Sequence, residues 1–167
     1  KTIITRDMEE IYTEIGNNIY SSGMTTTGVM ACLRTVLKHL GMEEKNTSLM
    51  MTGGPDGDLG ANQIQSYKGK IKLIIDSGSV LFDPCGLDRK ELMKIAFARH
   101  TSPRSNSLAY PEEKISKQGF RIARIKQAFT LPDNTKIEDG SYFHKNFFSD
   151  VSLRKFIREA NIDVFVP

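Results

Sequence analysis

The chain has 167 residues, a formal net charge of +3, 39% hydrophobic residues and 26% charged residues. This length and composition are typical of one globular domain, so we expect a single domain over residues 1–167. The small net charge does not favour nucleic acid, and no apolar run reaches the ~20 residues that span a bilayer, so neither partner is expected.

Helical periodicity dominates the beginning of the chain. Apolar residues recur at helical spacing over residues 7–20, and the Ser-Ser-Gly sequence at residues 21–23 predicts a stop. A second helix is predicted over residues 25–40, with Gly41 as its C-terminal cap. The predicted apolar face of this helix comprises Val29, Leu33, Val36, Leu37 and Leu40.

Strands and helices then alternate. Residues 48–52 predict a short strand, a glycine-rich loop follows it, and residues 60–67 predict a short helix. Residues 71–75 are almost continuously apolar, which is typical of a strand buried on both faces. Residues 80–82 predict a further short strand.

The next helix is predicted to begin with a capping box. Asp88 is placed to cap it, and Glu91 follows three residues later, ahead of the apolar residues Leu92, Ile95 and Ala96. Residues 100–119 are polar and rich in turn formers, so we expect a long surface excursion there.

The last part of the chain predicts an irregular strand region, a helix and a final strand. These lie at residues 122–131, 152–160 and 162–166. The whole succession predicts an α/β fold of the Rossmann-like, doubly wound kind, with a mainly parallel sheet and helices on both faces.

The glycine-rich loop partly matches a dinucleotide-binding pattern. Gly57 and Gly60 have the spacing of the last two glycines of G-x-G-x-x-G, and Asp76 follows Gly57 by 19 residues. That is close to the ~20 residues expected for the carboxylate that binds a ribose. Pro55 stands where the first glycine should be, so the strict pattern fails. Spacing alone leaves a dinucleotide site and a purely structural turn as equal alternatives.

Other kinds of site find less support. Asp56 and Asp58 have the same sign of charge as a diphosphate, and we interpret them as loop and cap residues that shape the loop. A P-loop is excluded because no Gly-Lys-Ser/Thr sequence follows the glycines. An EF-hand is excluded because Ala61 and Tyr67 stand where it needs Gly and Glu.

No metal site is expected either. The two cysteines and three histidines have no metal-ligand spacing, and we interpret the cysteines as reduced thiols. These residues are Cys32, Cys85, His39, His100 and His144.

Four segments in order carry a family resemblance. They read TTTGVMACLRTVLKHLG, TGGPDGDLGANQI, IIDSGSVLFDPCGLDRKEL and NIDVFVP. Together they resemble the cofactor domain of the large (high-molecular-weight) NAD-specific glutamate dehydrogenases. The resemblance implies an NAD-binding domain of an enzyme that converts L-glutamate, NAD and water to 2-oxoglutarate, ammonia and NADH.

The resemblance also implies how the domain is used. The chain begins without Met and ends on an apolar strand pattern, so we interpret it as a fragment of a longer dehydrogenase. The substrate domain of the same chain would bind glutamate, no catalytic residue would lie in this fragment, and the fragment alone would be inactive. The full-length enzyme would be a homo-oligomer in the cytoplasm or the mitochondrial matrix.

Residue roles follow from the same resemblance. The glycine loop would cradle the pyrophosphate, and Asp76 would bind the adenosine ribose and disfavour a 2′-phosphate, so that NAD is preferred to NADP. Ser77 would shape the adjoining turn, and Thr25 would approach the nicotinamide amide. The loop residues placed in the site are Gly53, Gly54, Pro55, Asp56, Gly57, Asp58, Leu59 and Gly60.

Two alternatives remain open at this point. The chain could be the cofactor domain of another amino-acid dehydrogenase, since the pocket for the substrate side chain would lie in the other domain. It could also be a non-catalytic dinucleotide-fold module used for regulation, with Asp58 blocking the cofactor. Titration with the cofactor distinguishes the second alternative from an enzyme.

Overall fold

The computed structural model describes residues 9–98, 105–150 and 155–167. The α-helices in these ranges are α1 (Glu9–His39), α2 (Asp58–Ser66), α3 (Arg89–Ala98), α4 (Gly140–Asn146) and α5 (Lys155–Glu159). The strands are β1 (Ser48–Thr52), β2 (Lys70–Ile75), β3 (Ser79–Phe82), β4 (Phe120–Ala123), β5 (Phe129–Thr130), β6 (Lys136–Ile137) and β7 (Val164–Val166). None of the described helices has both the length and the apolar character needed to cross a bilayer.

The central sheet has the strand order β4-β3-β2-β1-β7. β1 pairs in parallel with both β2 and β7, whereas β3 and β4 join as antiparallel strands. Thr52 pairs with Ile75, and Met51 pairs with Val166, so the three parallel strands end at one edge. We call this the carboxyl edge of the sheet. The α/β architecture predicted from the sequence is confirmed.

Both faces of the sheet are covered. Met30 and Leu37 of α1, Ile64 of α2 and Leu92 of α3 pack against one face. Phe143 and Phe147, from the region of α4, pack against the other face, together with Phe156 and Ile157 of α5. The buried residues of β2 are divided between the two clusters, which confirms a strand buried on both sides: Ile71, Leu73, Ile74 and Ile75. Burial of each such side chain contributes roughly 1.5–3 kcal/mol.

The predicted helix stop and C-terminal cap near the N-terminus are confirmed, and the predicted apolar face is correct for three of its five residues. Gly23 interrupts α1 with non-helical angles (φ 69°, ψ 159°), which confirms the predicted stop. Gly41 has φ 67°, and the Met42 N–H donates to the Leu37 carbonyl at 2.9 Å, as in a glycine-capped C-terminus. Leu37 is buried, and Val29 and Leu33 pack against the core, whereas Val36 and Leu40 are exposed.

The predicted capping box at α3 is half correct. The Asp88 carboxylate accepts from the backbone N–H of Lys90 at 2.8 Å and of Glu91 at 3.4 Å, so Asp88 does cap the helix. The Glu91 carboxylate pairs with Lys94 at 2.8 Å, whereas the Asp88 N–H donates to the Tyr110 hydroxyl at 2.8 Å. A distant tyrosine therefore replaces the glutamate in the reciprocal half of the box.

The prediction of a surface excursion over residues 100–119 is correct for part of the described segment and wrong for the buried residues that anchor it. Residues 105–119, which we call the clamp segment, contain two short 3-10 helices, Ser107–Ala109 and Glu112–Lys114. Ser107 is fully buried and Tyr110 is 1% exposed. Two serines of the segment, Ser107 and Ser116, bind buried carboxylates, whereas its charged residues, such as Glu113 and Lys117, are exposed. Residues 100–104 lie outside the described ranges.

Towards the C-terminus, the predicted types of element are correct, but their first and last residues differ from the prediction. The strand region at residues 122–131 divides into β4 and β5, and the last strand is β7. The helix expected over residues 152–160 is described as α5, while residues 151–154 lie outside the described ranges.

Candidate functional site

The glycine loop lies at the carboxyl edge, between β1 and α2. Its first glycine is tied to the end of β2, since the Gly53 N–H donates to the Ile75 carbonyl at 2.8 Å. The Gly57 N–H donates to the Gly54 carbonyl at 3.2 Å and closes the turn before α2. In open α/β sheets, ligands bind at this edge, in the crevice where the connections from two neighbouring strands lead to opposite sides. Such a point lies at β1, which has β2 on one side and β7 on the other.

The glycines of the loop fall into two groups. A Cβ atom at Gly60 would lie 2.1 Å from the Gly54 carbonyl oxygen, so helix and loop pack too closely for any side chain there. A Cβ atom at Gly57 would be 3.9 Å from its nearest neighbour, and one at Gly53 (φ 92°) would meet nothing within 4 Å. Gly53 and Gly57 therefore leave the loop backbone open to an approaching group. This arrangement fits the approach of a pyrophosphate to the backbone at the start of a helix.

The remaining loop residues have different surroundings. Pro55 is buried, whereas Asp56, Asp58 and Leu59 are exposed. Asp56 accepts a hydrogen bond from the Ser77 hydroxyl at 3.0 Å, which links the loop to the turn after β2. Asp58 is the first residue of α2, and the N-cap is Gly57, so the expectation that Asp58 caps the helix is corrected by one position. Its negative charge in the first turn is favourable for the helix dipole.

The Asp76 carboxylate is occupied by groups of this chain. Oδ1 accepts from the Gly78 N–H at 2.9 Å, the Ser79 N–H at 3.2 Å and the Ser107 hydroxyl at 2.6 Å. Oδ2 accepts from the Ser107 N–H at 2.7 Å. Asp76 is 6% exposed, and a Cβ atom at Gly54 would lie only 2.0 Å from Oδ2. Binding of a ribose by Asp76 stays a prediction, and these contacts do not favour it.

Residues that the sequence pattern did not single out complete the turn after β2. The Ser79 and Ser107 hydroxyls are 2.5 Å apart, and His144 Nε2 lies 2.5 Å from the Asp76 carbonyl oxygen. Asn106 Nδ2 donates to the exposed Ser77 hydroxyl at 3.4 Å. Ser107 lies 31 positions after Asp76, and no local pattern announces such a long-range partner.

Thr25 lies in α1, two residues after the break at Gly23. It is exposed, and a Cβ atom at the preceding break, Gly23, would lie 3.4 Å from Asn62 Nδ2 of α2. This part of α1 therefore lies beside α2, the helix that follows the glycine loop. The predicted role of Thr25 at the nicotinamide stays a prediction.

Titratable groups give no sign of a metal centre in the described ranges. No group of three or more His, Cys, Asp or Glu side chains that could hold a metal ion occurs among those residues. Cys32 and Cys85 are both free and exposed, so they do not pair with each other.

A cavity of about 420 Å³ lies far from the glycine loop. Its lining includes Phe82, Phe120, Phe156 and Lys117. Phe82 pairs with Leu73 and leads towards the amino-terminal edge of the parallel strands, opposite the carboxyl edge. The geometry of the glycines, and not the size of this cavity, therefore locates the candidate site.

Comparisons with known proteins agree with this fold. The family model described as glutamate/leucine/phenylalanine/valine dehydrogenase matches residues 16–166. Glutamate dehydrogenase 2 of Dictyostelium discoideum is 35% identical over 145 residues, which is 87% of this chain and 13% of that protein. The NAD-specific glutamate dehydrogenases of Neurospora crassa and Saccharomyces cerevisiae are 34% and 33% identical over 88% and 87% of this chain.

The chain spans 13% of the length of each of these curated relatives. The family match nevertheless covers almost all of the chain, including both the glycine loop and the turn at Asp76. The chain belongs to the glutamate/leucine/phenylalanine/valine dehydrogenase family.

Proposed function

We propose that the chain is the NAD-binding domain of an NAD-dependent glutamate dehydrogenase. The observation that carries the proposal is the glycine loop at the carboxyl edge, where Gly53 and Gly57 leave backbone open and Gly60 packs against Gly54. Two relatives are NAD-specific glutamate dehydrogenases, which supports both the cofactor and the substrate.

The loop would bind the pyrophosphate through its backbone. The N-terminus of α2 offers N–H groups and the positive end of a helix dipole, and both stabilise an anion. The N-cap, Gly57, has extended angles (φ −94°, ψ 148°) and no side chain between these groups and an incoming phosphate. NAD, when bound, supplies the acceptor for the hydride removed from L-glutamate.

The domain would work together with a substrate domain of the same chain. In the matched relatives, the region similar to this chain is 13% of the protein, so most of such an enzyme lies outside the matched region. We propose that the residues that bind glutamate lie there, and that these 167 residues bind NAD without turning over glutamate.

Another amino acid is the second candidate for the substrate, because the family description also names leucine, phenylalanine and valine dehydrogenases. Glutamate is favoured because relatives at 33–35% identity are named glutamate dehydrogenases. Steady-state assays of a complete enzyme that contains this domain, with the four amino acids in parallel, distinguish the candidates. A higher kcat/KM for leucine, phenylalanine or valine than for glutamate would contradict the proposed substrate.

Calorimetric titration of the chain with NAD tests the cofactor. The decisive variant is Gly57→Val, because valine tolerates the extended angles at this position and its methyl groups would occupy the open space. We expect the unsubstituted chain to bind NAD and Gly57→Val to bind it at least about tenfold more weakly, a change of ~1.4 kcal/mol.

Gln65→Ala is the matched control, since Gln65 is exposed near the other end of the same helix. It should bind NAD as the unsubstituted chain does. Absence of NAD binding by the unsubstituted chain would favour a non-catalytic module and overturn the proposal.

A further inference from the structure

The carboxylate that the dinucleotide pattern assigns to the ribose has no room for one. Asp76 accepts four hydrogen bonds from Gly78, Ser79 and Ser107, and a carboxylate offers about four lone-pair directions. Gly54 covers Oδ2 from the side of the glycine loop. A ribose diol could reach Asp76 only by displacing Ser107, which is fully buried.

A second carboxylate lies nearby on the exposed side of the same turn. Asp56 is in the glycine loop, and its Oδ2 accepts from the Ser77 hydroxyl at 3.0 Å. Asn106 of the clamp segment donates to that hydroxyl at 3.4 Å. Asp56 and Ser77 are both exposed and Asn106 is half-buried, so the three polar side chains form a connected surface group. They bridge the loop after β1 and the turn after β2, between which an adenosine ribose lies in dinucleotide folds.

We propose that Asp56, positioned by Ser77 and Asn106, is the residue that selects NAD over NADP. This inference rests on the proposed function of the glycine loop. An exposed carboxylate can accept hydrogen bonds from both hydroxyls of a ribose. The same charge repels the phosphate that NADP carries on its 2′ oxygen, since like charges at close range disfavour each other. Asp76 holds the clamp segment in place behind this group.

Asp56→Asn is the test, with binding of NAD and NADP measured separately by calorimetry. The substitution removes the negative charge and keeps the size of the side chain. We expect the ratio of the NADP to the NAD dissociation constant to fall by about tenfold or more, which corresponds to ~1.4 kcal/mol.

Asp58→Asn is the matched control for charge. Asp58 is the other exposed aspartate of the loop and lies two positions away, in the first turn of α2. Both cofactors carry the same pyrophosphate, so a change in its surroundings acts on the two affinities together. We expect Asp58→Asn to leave their ratio unchanged, whatever it does to each affinity.

Asp76→Asn tests whether Asp76, instead of Asp56, selects the cofactor. If it folds, we expect it to lower the midpoint of thermal unfolding and keep the NAD preference. If it does not fold, Ser107→Ala weakens the same contacts more mildly and should also keep the preference. An unchanged ratio in Asp56→Asn, or a tenfold change in Asp76→Asn or Ser107→Ala, would overturn the inference. Failure of the unsubstituted chain to bind NAD would overturn the proposed function and, with it, this inference.

Discussion

Two buried aspartates stand at the two ends of β3, and the clamp segment is bound to both in the same way. At Asp76, Oδ2 accepts the Ser107 N–H at 2.7 Å and Oδ1 accepts the Ser107 hydroxyl at 2.6 Å. At Asp83, Oδ2 accepts the Ser116 N–H at 2.7 Å and Oδ1 accepts the Ser116 hydroxyl at 2.8 Å. Each carboxylate also accepts from backbone N–H groups of its own turn, which for Asp83 is the Cys85 N–H.

The two sites differ in what lies beside them. Asp76 is at the carboxyl edge, where the glycine loop packs against its carboxylate, and Asp83 is at the opposite end of the hairpin. Because Asp83 makes the same serine contacts so far from the loop, such contacts do not require a cofactor. The comparison favours a structural role for Asp76, in agreement with the proposal that the exposed residues next to it recognise the cofactor.

Removal of either carboxylate should have the largest effect. Asp76→Ala and Asp83→Ala each leave at least three donors without their acceptor; these donors are buried at Asp76 and part-buried at Asp83. We expect each to lower the free energy of unfolding by about 3–4 kcal/mol, measured from urea unfolding. Glu113→Ala, an exposed carboxylate of the same segment, should change it by less than about 0.5 kcal/mol. A loss at Asp76 of under a third of the loss at Asp83 would break the comparison.

The glycine loop provides the next largest effect. Gly60→Ala forces a methyl group against the Gly54 carbonyl oxygen, so we expect a loss of about 1–3 kcal/mol although alanine favours helices. Gly57→Ala is the paired variant, with φ −94° and open space around it, and we expect a change of less than about 0.5 kcal/mol, because the lower entropy of the unfolded chain offsets the poorer N-cap. Thermal unfolding of the two variants measures the difference. Equal losses would show that the loop is not divided into packed and open glycines.

Substitution of the two serines that bind Asp76 and Asp83 should destabilise the protein by different amounts. Ser107 is fully buried, and its hydroxyl also contacts the Ser79 hydroxyl, whereas Ser116 is half-buried. We expect Ser107→Ala to lower the free energy of unfolding by about 1–2 kcal/mol and Ser116→Ala by about 0.5–1 kcal/mol. Urea unfolding at neutral pH decides the order, and a reversed order would contradict the tighter burial at the Asp76 end.

The sequence predicted the elements well where local periodicity decides them. The strand at residues 48–52 coincides with β1, and the break at Gly23 and the cap at Gly41 were marked by local chemistry. The contacts that anchor the clamp segment were missed because they join its serines to carboxylates up to 33 positions away. A polar sequence normally indicates solvent exposure, and here the acceptors that reverse this are distant in sequence.

The candidate site shows the same limit. Spacing located the glycine loop and the acid after β2, because the backbone geometry of a strand-turn-helix unit requires them at those positions. Spacing could not show that Ser107 donates hydrogen bonds to the Asp76 carboxylate. It also could not show that the Ser77 hydroxyl donates to Asp56 across the turn. Contacts between side chains of different elements depend on the packed structure, so a single sequence does not reveal which of several aspartates is exposed.

Tyr110, between the two serines of the clamp segment, should make stability depend on alkaline pH. Burial is the largest cause and raises the pKa of its phenol. The hydrogen bond from the Asp88 N–H lowers this pKa, whereas the negative charges of Asp88, Asp83 and Glu91 raise it. A raised pKa in the folded state means that the folded protein binds this proton more tightly than the unfolded chain does. The resulting stabilisation is complete below pH ~10, the ordinary value for tyrosine, and is lost as the pH rises through the folded-state pKa.

Tyr110→Phe tests this pH dependence. At neutral pH it removes the acceptor for the Asp88 N–H and should cost about 1 kcal/mol, with the buried ring retained. Above pH ~10 the loss of stability with pH should be shallower in Tyr110→Phe than in the unsubstituted chain, since the variant has one fewer proton to release. Urea unfolding from pH 8 to 11 measures both quantities.

Because burial also raises the pKa of Tyr67, some loss of stability at alkaline pH should remain in Tyr110→Phe. Adding Tyr67→Phe to that variant should reduce the loss further. An equally steep loss in Tyr110→Phe would show that the clamp segment has already opened before this phenol ionises.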